Sequence, residues 1–185
     1  MNPRSSLYLL AALLVMSLVV YFAERPNSVS KAESIEHPSG SRVLEMAPED
    51  ILQVQVKRDF YNSYTLSRGA DGAWRIIDPS SEPAGEANVG KLLESLANLT
   101  VITTIDLPQD DSERHRQYGL WKPSLEVTVS RANRSDTVMF GAQSEEGTGV
   151  YCALAGHDKV YVIPKGLLPG LSQDLSVYRQ SQAAP

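Results

Sequence analysis

The stretch SLEVTVSRANRSDTVMFGAQSEEGTGVYCALAGHDKVYVI, residues 124–163, decides the reading of the fold. Four short strands follow one another in it: Leu125–Ser130, Asp136–Phe140, Val150–Leu154 and Lys159–Ile163. Leu125, Val127 and Val129 alternate with Glu126, Thr128 and Ser130, the period of a strand with one buried face. Val138 and Phe140 share a face, Tyr151 and Ala153 alternate with Cys152 and Leu154, and Val160 and Val162 close the set. The connections are Arg131–Ser135, the glycine-containing loop Gly141–Gly149 and the tight turn Ala155-Gly156-His157-Asp158. Strands this close in sequence, joined this way, predict an antiparallel meander with the rest of the domain packed on or beside it.

Upstream, Ala47-Pro48-Glu49-Asp50 reads as a polar turn before the strand Ile51–Lys57, in which Leu52, Val54 and Val56 fall on one face. Tyr64–Arg68 and Ala73–Ile77 form a hairpin around Gly69–Gly72, whose glycines and Asp71 suit positive φ. Trp74 and Ile76 share a face there, and Trp74 reads as a core anchor. After the Pro/Ser/Gly loop Asp78–Glu86, the spacing of Val89, Leu92, Leu93, Leu96 and Leu99 predicts a helix over Gly85–Leu99, apolar side on the sheet. Val101–Ile105 is β-branched and predicts another strand. Leu107–Gly119 mixes both charges and reads as a solvated helical turn that ends at Gly119. Past Pro164, Leu167, Leu168, Leu171 and Leu175 predict a short helix interrupted near Pro169-Gly170. The fold class is therefore α+β: an antiparallel sheet or pair of sheets, one packed amphipathic helix and a short C-terminal helix.

Ahead of this domain, Leu7–Ala23 is an uncharged apolar run of 17 residues. As a helix it would be roughly 25 Å long, at the short end of a membrane span. Its exit, Tyr21-Phe22-Ala23-Glu24, lacks the small residue three before the cut that a signal-peptidase site wants, so an uncleaved anchor is favoured over a cleaved signal. Arg4 on one side and Arg25 and Lys31 on the other leave the positive-inside bias nearly flat. The short tail before the run favours a signal anchor with the domain outside the cytoplasm. The expected organisation is a tail over residues 1–6, a transmembrane anchor over 7–23, a Pro/Ser/Gly-rich flexible linker over 24–42, the α+β domain over 43–179 and a disordered tail over 180–185.

The 185 residues carry a net charge of −5. Three of the 17 basic residues and one of the 22 acidic ones precede position 32, so the remainder carries −7. That balance counts against nucleic acid as a partner and against direct docking on anionic lipid. A single cysteine, Cys152, allows no internal disulfide, and its place inside a strand reads as a small buried hydrophobe.

No motif announces a reaction. His37, His115 and His157 lie in the linker, the charged turn and a hairpin, with no H-E-x-x-H spacing, no G-x-S-x-G elbow and no phosphate-binding glycine loop. Asp110, Asp111 and Glu113 lack the spacing of a calcium loop. Asn98-Leu99-Thr100 matches a glycosylation sequon, but at the buried edge of a helix. No catalytic residue, metal ligand or cofactor site is assigned. One exposed feature reads as a candidate interaction loop: Glu145, Glu146, Gly147 and Thr148 between two strands, followed by Tyr151.

Residues 43–179 resemble the bacterial family catalogued as domain of unknown function 4340. The resemblance rests on Pro48-Glu49-Asp50-Ile51, Gly72-Ala73-Trp74-Arg75-Ile76, the helix Val89 to Leu99, and Gln117-Tyr118-Gly119-Leu120 with Lys122-Pro123. It also rests on Val150-Tyr151-Cys152-Ala153-Leu154-Ala155-Gly156 and Val160-Tyr161-Val162-Ile163. The resemblance implies an envelope protein with an N-terminal anchor in the bacterial inner membrane, its domain on the periplasmic side. Many members are similar to partners of ABC-type transport systems of the kind linked to gliding motility, and the resemblance implies neither an enzymatic activity nor a cofactor, nor which partner this chain has. The expected function is a non-catalytic, membrane-anchored accessory module that binds a membrane-protein partner. The alternatives are a module that binds a small envelope ligand beside the Gly141–Gly149 loop, and an unrecognised hydrolase built around His115 or His157.

Overall fold

In the computed structural model, residues 34–35, 40–58, 62–106 and 112–180 are described, with the backbone alone at 34, 35 and 114. The apolar run 7–23, most of the linker, His37, Asp110, Asp111 and the last five residues lie outside them. Among the described residues, no helix is long and apolar enough to cross a membrane.

The alternating segments become strands β1 (Ser34–Ile35), β2 (Gln53–Lys57), β3 (Ser63–Arg68), β4 (Trp74–Asp78) and β5 (Glu82–Pro83), then β6 (Thr103–Asp106), β7 (Leu125–Ser130), β8 (Ser135–Gln143), β9 (Gly149–Leu154) and β10 (Lys159–Pro164). All belong to one antiparallel sheet in the order β1-β6-β10-β9-β8-β7-β2-β3-β4-β5. The expected meander, β7 to β10, is the middle of that sheet. The upstream hairpins join it through β2 against β7, and β6 joins its other side through β10.

Register sets one continuous apolar face. Val54 lies opposite Leu66 and Val129, Val127 opposite Val56 and Val138, and Phe140 opposite Leu125 and Cys152. All of these are buried to within 3% exposure. Each such side chain contributes about 1.5–3 kcal/mol relative to exposure, which locks the register, because a one-residue slip would turn the whole row to water.

Helix α1 (Glu86–Ala97) lies on this face and buries Val89, Leu92, Leu93 and Leu96 as the spacing predicts. Twelve residues are marginal as an isolated helix, so packing of this stripe holds it. Two further short helices, α3 (Leu168–Leu171) and α4 (Leu175–Tyr178), pack beside α1, while α2 (Ser112–Gln117) belongs elsewhere. The C-terminal segment is tied back by its backbone. Gly85 N–H donates to Tyr178 O at 2.7 Å, Asn88 Nδ2 to Val177 O at 2.6 Å, and Tyr64 Oη to Gln173 O at 3.1 Å. Arg58 adds a bond to Ser172 O at 3.0 Å and an ion pair to Asp174.

Several expectations change. The choice between one sheet and two resolves to one. Leu52 is 42% exposed while Ile51 is fully buried. The turn read at Ala47–Asp50 is a 3-10 turn over Pro48–Asp50, and the strand proper starts at Gln53, so Leu52 is outside the alternation. Strand β8 continues to Gln143, so the loop read as Gly141–Gly149 shrinks to residues 144–148. A register shift between Phe140 and Gln143 absorbs the extra residues. The C-terminal helix breaks at 172–174 and not at Pro169-Gly170, because Pro169 sits in the first turn of α3, where its missing N–H costs nothing. Within the stretch read as linker, Ser34–Ile35 pairs with β6.

Candidate functional site

The sheet is also covered on its reverse face, but only in part. Alternation in β6, β9 and β10 sends Ile105, Tyr151, Ala153, Val160 and Val162 away from the main core; the register places Val160 opposite both Ala153 and Ile105, and Val162 opposite Tyr151. Leu120, Ala153 and Val160 are buried there in a second small cluster, with Ile105, Tyr118, Met139 and Tyr151 packed against it. This explains why β9 is buried on both faces although its residues alternate. Cys152 belongs to the main core, fully buried, and burial pushes its thiol far above the usual range.

The cover comes from residues 118–120, tied to the end of α2 by the Leu120 N–H on His115 O at 2.8 Å. Gly119 takes φ +72°, which ends the helix, and a Cβ on it would stand 2.6 Å from Ala142 N. Ala142 N–H donates to Tyr118 O at 2.8 Å. The Tyr118 and Tyr151 rings meet with centroids 4.5 Å apart, tilted by 50°, an arrangement favourable for aromatic pairs.

Among the described residues, the cover stops beyond Tyr151. A hollow of about 250 Å³ remains, with Ile105, Tyr151 and Val162 in its lining, Ile102 among them at 50% exposure, and Glu145, Glu146 and Thr148 on the loop side. The candidate loop residues Glu145, Glu146, Thr148 and Tyr151 are thus brought together around one hollow, and Gly147 supplies the φ of +74° that turns the chain.

This turn is internally bonded rather than loose. Ser144 and Gly149 are bonded twice, Ser144 N–H donating to Gly149 O at 2.9 Å and Gly149 N–H to the Ser144 side-chain Oγ at 3.0 Å. Gly147 N–H donates to Ser144 O at 2.8 Å, and Gln143 Nε2 to Gly147 O at 2.6 Å. Lys165 fastens it from outside, its N–H on Thr148 O at 3.1 Å and its Nζ on Gln143 Oε1 at 3.2 Å. Burial raises the Tyr151 phenol above its ordinary pKa. The Glu145 backbone N–H pulls it the other way, and the charges of Glu145 and Glu146 push it up again.

A second hollow, of about 320 Å³, is lined by Ser112, His115, Leu120 and Trp121. Trp121 is 59% exposed, with the Arg116 guanidinium 5.0 Å from its ring centre. The sequence reading passed over Trp121, since it lies outside any periodic segment. His157 is exposed in the β9–β10 turn, and Glu113 is exposed on α2. Among the described residues, no three His, Cys, Asp or Glu side chains gather as a metal site would require.

The family model for the Domain of unknown function (DUF4340) matches residues 74–183, more than half of the chain. The chain belongs to this family. The match begins at Trp74, so β2 and β3 lie outside it, whereas the hollow and its cover lie within it. Comparison with curated proteins gave no match, and neither did comparison with solved structures.

Proposed function

We propose that this member of the family is a non-catalytic, membrane-anchored envelope protein that serves as an interaction or accessory module of a membrane complex. The complex we have in mind is an ABC-type transport system, with the apolar run 7–23 as the anchor in the bacterial inner membrane and the sheet domain on the periplasmic side. The observation that carries the reading is the uncovered apolar floor of the reverse face, where Ile102 stands 50% exposed beside a preformed hollow. A hollow with apolar side chains in its floor and polar residues at its rim is the form of a protein contact site.

Its size favours that reading over the alternative of a small envelope ligand. At about 250 Å³ it falls below the roughly 300–1,000 Å³ of sites that enclose small molecules. The test is purification of the full-length protein from its native membrane in mild detergent, with and without prior crosslinking. A stoichiometric membrane-protein partner is the expected result. A protein that emerges alone in both preparations overturns the proposal.

A further inference from the structure

We infer that the reverse-face hollow receives one apolar side chain from a partner protein's segment, and that lysine or arginine flanks that side chain in the partner. This rests on the interaction-module reading and names the chemistry of the partner.

Size and floor set the first half of the recognition. Ile102, Ile105, Tyr151 and Val162 supply the apolar part of the lining beside Thr103 and Ser144, with room for a single branched or aromatic side chain. Burying such a group is the usual source of most of the affinity at a small contact. The bonded turn of residues 144–148 is already in place, so little ordering cost is added on binding.

Charge sets the second half. Glu145 and Glu146 are the carboxylates in the lining, both are exposed, and among the described residues no Lys, Arg or His lines the hollow with them. No ion pair between described residues engages either carboxylate. Two unneutralised acids at the mouth of an apolar hollow repel an acidic segment and attract a basic one. The effect chiefly governs specificity and association rate and weakens as salt screens it.

The experiment places a benzophenone amino acid at Ile102 of the full-length protein in its native cells, with the same probe at exposed Asn133 as a control. After irradiation, the crosslinked segment is mapped by mass spectrometry. The expected result is a crosslink at 102, absent at 133, to a segment with an apolar residue and a Lys or Arg within two positions of it. Its yield should fall at least fivefold when Glu145→Lys and Glu146→Lys are combined. A mapped segment that is acidic or uncharged, or a yield indifferent to the charge reversal, overturns the inference and leaves the module reading standing. A crosslink only to a second copy of the chain overturns it in favour of self-association. No crosslink at 102, with a partner still copurifying, moves the contact elsewhere on the domain. No crosslink and no copurifying partner overturns both.

Discussion

Gly141 lies against Tyr118 so closely that a Cβ on the glycine would stand 2.1 Å from the tyrosine's carbonyl oxygen. That oxygen also accepts the Ala142 N–H at 2.8 Å. The bulged part of β8 is therefore where the cover of the reverse face is fastened to the sheet, and it needs a residue without a side chain.

Gly141→Ala should cost about 2 kcal/mol, since the clash is with backbone and a shift must propagate. Urea unfolding of the full-length protein in detergent, followed by tryptophan fluorescence, measures it. A loss below about 0.5 kcal/mol, the range of ordinary surface changes, would show that the cover is not fastened here.

Asp136 sits at the start of β8, 8% exposed, between two guanidiniums: Arg131 Nη2 at 2.5 Å and Arg134 Nε at 2.7 Å. Asp136→Ala should cost about 2 kcal/mol, in the range of hydrogen bonds to a charged group. The Arg134 side chain is 59% exposed, so Arg134→Ala should cost less than about 1 kcal/mol. Equal losses in the two variants would contradict the burial argument.

Tyr64 and Tyr178 pack with ring centroids 5.4 Å apart, yet their hydroxyls differ. That of Tyr64 donates to a backbone oxygen, Gln173 O, whereas the polar neighbour of the buried Tyr178 hydroxyl is the Tyr64 hydroxyl itself. Tyr64→Phe should lose about 1 kcal/mol. Tyr178→Phe should lose less than Tyr64→Phe, because its desolvated hydroxyl has no backbone acceptor among the described residues. Unfolding midpoints of the two variants compare them directly, and a costlier Tyr178→Phe would reverse the assignment.

Burial raises the pKa of Cys152, Tyr64 and Tyr178 in the fold. The unfolded chain gives up the thiol proton near pH 8.5 and the phenol protons near pH 10. Above those values the folded state binds more protons than the unfolded one, so stability falls as pH rises. It should be flat from neutral pH to about pH 8.5 and decline beyond it, and Cys152→Ala should move the onset toward about pH 10. A series of urea midpoints from neutral to alkaline pH reads this. Constant stability to pH 11 would mean that these groups are not desolvated.

Much of the fold was legible in residue order. Alternation in 125–130 and 159–163 and the stripe Val89, Leu92, Leu93 and Leu96 specify strand and helix through the geometry of the backbone period alone. Leu52 misled because alternation cannot say where a strand begins; the 3-10 turn at Pro48–Asp50 shifts that point and exposes it. The acidic loop and Tyr151 could be singled out from exposed residue types between two strands. Their partners Ile102, Ile105 and Val162 could not, because they look like ordinary strand residues until β6 is placed beside β10.

Local periodicity and side-chain polarity alone dictate the α+β class, the central meander, the buried face of α1 and the packing role of Cys152. The pairing of β6 with β10 at one side and of β2 with β7 at the other, and the incomplete cover of the reverse face by residues 118–120, emerge only in three dimensions. Those outcomes depend on pairings between segments far apart in the chain. Their selection comes from burying two faces of one sheet at once, a global packing condition that no local pattern encodes.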